Sequence, residues 1–399
     1  MKNFKKIGSI VLAGALATAF LAAPVSAAGT DDDGVIKAGG LWCLTGFMDS
    51  YEVAGSKGFE LALEEINAAG GIDGQTVEYV SYDTESELSN ATALITKLIE
   101  QDNADFVVGM GDPNSAIAAG TVAQEYGVPT LATTSTLPYT QERVGDTAFL
   151  VPYGDNVQAA AMADYAYNEL GLKTAYVVTN STDEFTMALS KYFQLHFEHV
   201  GGTILGESTY DDNGLTDFSA SAQKILALDE APDAVFLACF TDEAPIMLKQ
   251  YREAGIEAIA LSGDGLDDLS VPEIAGPAAE NTYFSTHIYY DPDNEKIMSF
   301  YNAYVDKYGE EPQNAFTALG YDAAYLVKYA VENYANGDYS AASIRDAIAQ
   351  VTDFEGITGT ISYADSNIPT KTVYINKFQD GGTVGVTTVV PELFEDEIE

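Results

Sequence analysis

This chain is short of cations, sulfur and imidazole. Its 399 residues include 18 Lys and Arg against 61 Asp and Glu, with two Cys, three His and one Trp. A formal charge of −43 argues against nucleic acid or an anionic membrane as a partner, because both are gripped through clustered Lys and Arg. Two cysteines, Cys43 and Cys239, are too few for a disulfide framework, and they read as buried free thiols. His196 and His199 stand at i, i+3 but lack a neighbouring set of acids or cysteines, so they read as surface residues rather than metal ligands. Asp211-Asp212-Asn213-Gly214 departs from calcium-loop spacing and reads as a turn. No G-x-S-x-G elbow, Walker loop, C-x-x-C or H-E-x-x-H is present, so neither an enzyme, a cofactor nor a metal is expected.

What is present begins with Lys2, Lys5 and Lys6, an apolar run from Ile7 to Ala23, and then Pro24-Val25-Ser26-Ala27. That order matches a secretory signal peptide spanning 1–27. A membrane anchor fits less well, because small residues interrupt the run and positive charge does not follow it. No Cys stands at the cleavage point to carry a lipid. Cleavage removes three lysines and makes the mature chain more acidic still, as suits an extracytoplasmic, well-solvated surface. Apolar content of 47% is ordinary for a globular protein, and the mature length is more than one hydrophobic core comfortably serves.

Short apolar runs at 77–82, 105–110, 129–132, 174–179, 233–240 and 258–262 read as buried strands bounded by turn residues. Helical patterns lie between them. Over 51–69, Phe59, Ala62, Leu63 and Ile66 mark one face before Gly70-Gly71 ends the helix. Steady alternation of strand and helix predicts α/β architecture with parallel sheets covered on both faces. The rhythm runs twice, over about 35–150 and 151–283. Helices over 295–308 and 314–334 follow, then a hairpin-like pair at 356–363 and 372–378, and an acidic tail at 392–399 that reads as frayed. Ligands of doubly wound sheets bind beyond the carboxyl ends of strands, and domain interfaces are favoured pockets.

The post-strand segments carry a resemblance. Leu44-Thr45-Gly46, the run Glu65-Ile66-Asn67-Ala68-Ala69-Gly70-Gly71-Ile72-Asp73-Gly74, and Tyr82-Asp83 resemble the opening of type I periplasmic solute-binding proteins of the branched-chain amino acid (Leu/Ile/Val) family. Gly127-Val128-Pro129 before Thr133-Thr134-Ser135-Thr136, then Thr216-Asp217-Phe218 and Phe354-Glu355-Gly356-Ile357-Thr358-Gly359, extend it across the mature chain. The resemblance implies a Venus flytrap: two doubly wound parallel-sheet lobes joined by a three-strand hinge. Lobe one would be 35–150 plus 284–358, and lobe two 151–283 plus 359–391.

It also implies where a ligand sits. In the family, the loop equivalent to Gly111-Asp112-Pro113-Asn114-Ser115 and the later Thr/Ser cluster hold a ligand carboxylate, which puts Asn114, Ser115, Thr134, Ser135 and Thr136 forward. A helix N-terminus suits that task, with ordinary helix capping as the competing reading. Pro113 stands where relatives often have serine. Asp264, in Ser262-Gly263-Asp264-Gly265, falls where amino-acid binders carry an acid against the ligand ammonium. Tyr51 and Phe240 are expected to wall the pocket, with Trp42, Tyr153 (followed by Asp155 and Asn156), Phe185 and Glu184 as further candidates. Together these imply a monomeric binder of an aliphatic or small aromatic amino acid. An ABC permease heterodimer with cytoplasmic ATPases would be its partner and the periplasm its location. A short amide or carboxylate, or a sensory role for the same fold, stands as the alternative.

Overall fold

Val35–Trp42 (β1), Thr76–Asp83 (β2), Phe106–Gly109 (β3), Thr130–Ala132 (β4) and Ala148–Leu150 (β5) pair in the order β2-β1-β3-β4-β5, each neighbour parallel. The computed structural model describes residues 34–211, 214–363 and 366–398. The expected signal peptide over 1–27 lies outside them, as do two residues of the 211–214 turn. Strands β3, β4 and β5 are buried along their whole length, which is why they read as unbroken apolar runs. Val108 packs on one side with Phe59 and Leu319, and Val107 on the other with Ile95 and Ala119.

The helices Asp49–Ala68 and Phe316–Tyr334 cover the first of those sides and meet backbone to backbone. A Cβ on Gly58 would lie 1.8 Å from the Thr317 carbonyl oxygen, and one on Gly320 would lie 2.0 Å from that of Gly55. Only glycine fits at that crossing. The close approach brings Phe316 edge-on to Tyr51, with ring centroids 5.2 Å apart.

A second sheet has seven strands: Thr174–Asn180 (β6), Thr203–Tyr210 (β7), Ala234–Ala238 (β8), Ile259–Ser262 (β9), Tyr283–Thr286 (β10), and, beyond a small pair Phe354–Glu355 (β11) and Thr360–Ile361 (β12), Val373–Gln379 (β13) and Gly382–Val389 (β14). Their order is β14-β13-β10-β9-β8-β6-β7. The five strands from β10 to β7 run parallel, but β13 and β14 are antiparallel, so the sheet is mixed rather than wholly parallel. The expected pairing of 356–363 with 372–378 is corrected: β11 closes on β12, and β13 pairs with β10 and β14. The cause is a two-residue hairpin at Asp380-Gly381, with φ of +53° and +78°. Asp-Gly is the residue pair such a turn selects, so this signal was present in the sequence.

Two further segments sit differently from expectation. Residues 284–286 belong to β10 of the second sheet, whereas Tyr363 and Asn367 bond to the end of the first through Leu150 and Ala148. Strand periodicity is silent on which sheet a segment joins. Buried Lys371 ties two crossings together, donating from Nζ to the Val151 carbonyl at 3.1 Å and to Thr358 Oγ1 at 2.8 Å. The tail is not frayed: Glu395–Ile398 is a short helix whose Glu397 is buried against His196. His196 is therefore a core residue, contrary to the surface reading, while His199 is exposed and stacks on Phe394.

Candidate functional site

The carboxyl ends of the strands in both sheets open onto one narrow cavity. Met48, Tyr51, Gly111, Asp112, Pro113, the run Thr134–Thr136 and Phe316 line it from the first sheet's side. Phe185, Phe240, Asp264 and Gly265 line it from the second. Of the expected site residues, Tyr51, Thr134, Ser135, Thr136, Asp264, Phe240 and Phe185 thus meet around a single space.

Four do not line it. Asn114 is exposed on an outer groove, and the Ser115 hydroxyl is already committed to Asp112 Oδ2 at 2.7 Å. Asp112 caps the Pro113–Tyr126 helix, accepting from Asn114 N at 2.9 Å and Ser115 N at 3.1 Å. Capping has won over ligand binding there, and an Asp followed by Pro at the first helical position is the sequence signature of that outcome. Trp42 is a core residue beside Phe59, its indole N–H donating to the Tyr79 hydroxyl at 2.7 Å. Tyr153 lies buried behind the cavity, against the His287 ring at 4.1 Å between centroids. Sequence reasoning passed over Met48, Asp112 and Phe316 as lining residues. Asp112 had the cap signature and Phe316 a place on a buried helical stripe; nothing local marks Met48.

Behind the lining runs a buried polar chain. Thr136 Oγ1 donates to Asp155 Oδ1 at 2.7 Å, and Gln158 Nε2 donates to both Asp155 Oδ1 and Asp264 Oδ1 at 2.9 Å. Asp264 N and Ser285 Oγ return bonds to Gln158 Oε1, while His287 Nε2 stands 2.9 Å from Asp264 Oδ2. Such a network fixes Asp264 in one orientation. Burial pushes the Asp155 carboxyl well up, with the Asp264 charge adding to it, and burial pulls His287 down. On the other side, Glu52 accepts from Thr134 Oγ1, Gly111 N and Cys43 N, and burial raises its carboxyl to about 7. Of the Asp155 and Glu184 candidates, Asp155 belongs to this polar chain, whereas Glu184 is not among the lining residues and pairs with Arg143 at 2.5 Å. Asn156 points away and donates to the Glu397 carbonyl.

Direct bonds join the two sides over the cavity. The Tyr51 hydroxyl donates to the Gly265 carbonyl at 2.8 Å and accepts from Thr241 N at 3.0 Å. Asn314 Nδ2 donates to Asp268 Oδ2 at 3.1 Å and Ala315 N to Asp267 Oδ2 at 3.0 Å. The arrangement is a closed cleft that holds a small solute between two walls. Among the described residues no group of three or more His, Cys, Asp or Glu is placed to hold a metal ion.

Known proteins share this organisation. The chain is 28% identical over 346 residues to Leu/Ile/Val-binding protein homolog 3 of Brucella melitensis, covering 86% of this chain and 91% of that protein. The isoleucine complex of a branched-chain amino acid transporter substrate-binding protein from Streptococcus pneumoniae matches with a TM-score of 0.82 at 30% identity, over 90% of this chain and all of that one. A leucine-binding protein from Thermotoga maritima matches with a TM-score of 0.82 at 28% identity, over 89% of this chain and 99% of that one. The sequence model described as periplasmic binding protein spans residues 35–383, so the chain belongs to the periplasmic binding protein family, with its type I α/β fold.

Proposed function

We propose that this protein captures an amino acid outside the cytoplasm and delivers it to an ABC importer. The observation that carries the reading is the split of the cavity: Thr134–Thr136 on one wall, and Asp264, held in place by Gln158 and His287, on the other. A solute with an ammonium group beside Asp264 and a polar end beside Thr134–Thr136 touches both walls and favours the closed state. The isoleucine complex of the pneumococcal relative supports the ligand class. In this reading the protein is a monomer, performs no catalysis and presents both lobes to a permease heterodimer with cytoplasmic ATPases. The leader over 1–27 would place it in the periplasm. The lobes hinge where 150–154, 286–288 and 367–373 cross between the sheets.

Thermal unfolding with a panel of amino acids tests it. A ligand at 100 times its dissociation constant adds about 2.7 kcal/mol of stability, and Asp264→Ala abolishes the shift. A melting temperature unmoved by every amino acid would defeat the ligand assignment.

A further inference from the structure

The loop after β9 carries more acids than the one that lines the cavity. Asp264 opens a single 3-10 turn, Asp264–Leu266, in which Asp267 N donates to the Asp264 carbonyl at 2.9 Å and Asp268 N to that of Leu266 at 2.8 Å. The turn fixes how Asp267 and Asp268 stand relative to Asp264. Two consecutive residues brace it from behind. Thr286, at the end of β10, donates through Oγ1 to Asp267 Oδ2, and His287 Nε2 stands 2.9 Å from Asp264 Oδ2.

Asp267 and Asp268 are not among the lining residues of the cavity. They meet the start of the Phe316–Tyr334 helix, which covers the other sheet. Ala315 stands at the N-cap of that helix and offers no side-chain acceptor. Acceptors arrive from across the cleft instead. Asp267 Oδ2 takes the Ala315 N–H at 3.0 Å. Asn314 links the rest: its Oδ1 accepts from Phe316 N at 3.2 Å, while its Nδ2 donates to Asp268 Oδ2 at 3.1 Å and to the Ser50 carbonyl at 2.9 Å. Asp267, Asp268 and Asn314 are 6, 7 and 2% exposed, so in the closed form these groups depend on one another rather than on water. The contacts do not need an ionised Asp267. Burial lifts its carboxyl to about 7, and with a proton on Oδ1 the Oδ2 atom still accepts.

Resting on the amino-acid reading above, we propose that Asp267 and Asp268 form a latch, capping the Phe316–Tyr334 helix from the opposite lobe only when the cleft is shut. The turn they share with Asp264 makes the latch answer to the ligand. An ammonium seated on Asp264 steadies the turn, and the steadied turn presents both acceptors to Ala315 and Asn314. Opening returns these groups to water, so the latch contributes to the closed state and not to the fold of either lobe. It governs how long a solute is held more than how fast it enters.

Reversing the Asn314–Asp268 pair in the full secreted chain tests this, with leucine, isoleucine, valine and alanine as probes and rapid-mixing kinetics as the readout. Asp268→Asn leaves one oxygen where two now serve Ser270 N and Asn314 Nδ2. Asn314→Asp sets two carboxyls against each other across the cleft. Each change alone should speed dissociation of the tightest-binding probe about tenfold, with association little altered. Asp268→Asn combined with Asn314→Asp restores one donor facing one acceptor and should recover most of that loss. The melting temperature of the ligand-free protein should barely move in any of the three. Losses that simply add in the double variant, or single variants that release the probe no faster, would overturn the latch and leave the amino-acid reading standing. Matching destabilisation of the ligand-free chain would make the contacts part of the fold and overturn the latch as well. Failure of all four amino acids to bind the unaltered protein would overturn both.

Discussion

The Tyr51 hydroxyl lies 2.8 Å from the Gly265 carbonyl oxygen, a bond thrown across the cleft from a helix over one sheet to the loop after a strand of the other. Thr241 N completes it at 3.0 Å, so one phenol oxygen both donates and accepts between the two walls. In an open cleft water would serve all three groups. Tyr51→Phe therefore taxes closure rather than folding: it should weaken solute affinity by roughly 5- to 30-fold, about 1–2 kcal/mol, while the melting temperature of the ligand-free protein changes little. Calorimetry paired with small-angle scattering reads both. A variant that still closes with undiminished affinity would show that the bond contributes nothing to the closed state.

Glu52 provides a pH signature. It is fully buried, and that burial, opposed by bonds from Thr134, Cys43 and Gly111, raises its carboxyl from 4.5 to about 7. A carboxyl with a raised pKa holds its proton in the native state at pH values where the unfolded chain has lost it, so stability falls as pH climbs from about 4.5 to about 7. Glu52→Gln can keep the bonds to Gly111 and Cys43 through its carbonyl oxygen and removes the cost of ionisation. It should stabilise the protein by on the order of 1–3 kcal/mol at pH 8 and by much less at pH 4.5. Denaturant unfolding at the two pH values checks this. An equal effect at both would mean that Glu52 ionises as freely in the fold as out of it.

How far such features could be read from residues alone depended on the range of the interaction behind them. β3 and β8 are continuous apolar runs because both faces of a parallel sheet are covered, so they were visible. The Asp380-Gly381 turn was equally local but went unread, and with it β14, whose largely exposed Thr and Val carry no apolar run. At the cleft, Asp264 and Thr134–Thr136 were found by resemblance, because a post-strand loop looks like any turn until its partner loop is known. Asn114 and Ser115 failed for a local reason: a stronger acceptor, Asp112, stands two residues away and claims the same amides. Trp42 and Tyr153 failed for a tertiary one, since an aromatic ring near a strand end faces either ligand or core according to what packs behind it.

The cysteines invite a chemical test. Cys43 and Cys239 are both free and buried. Burial, aided by the Glu52 charge, lifts the Cys43 thiol to about 12, and burial with the charges of Glu243 and Asp242 drives Cys239 well above its ordinary value. Thiolate is the reactive form, so the native protein should be inert to an aromatic disulfide reagent at pH 8, and two thiols should titrate once it is unfolded without reductant. Fewer than two would contradict the free state of the pair.

The acidic tail is held by the same economy of cations that runs through the chain. His196 is 1% exposed; its Nδ1 lies 2.8 Å from Glu397 Oε1, and Asp164 Oδ1 lies 3.2 Å from its Nε2, while Phe394 stacks on the ring. Asn156 adds a bond to the Glu397 carbonyl. Burial pulls the imidazole pKa down, but the two carboxylates more than offset it, and the net shift is upward from 6.5. A histidine so raised stabilises the fold fully below the unfolded value, and the contribution fades as pH rises through the folded one. Glu397→Gln, which keeps the size of the side chain, should therefore lower the melting temperature more at pH 6 than at pH 8.5. A penalty independent of pH would mean that the imidazole is neutral throughout and that the tail is held by Phe394 and Asn156 alone.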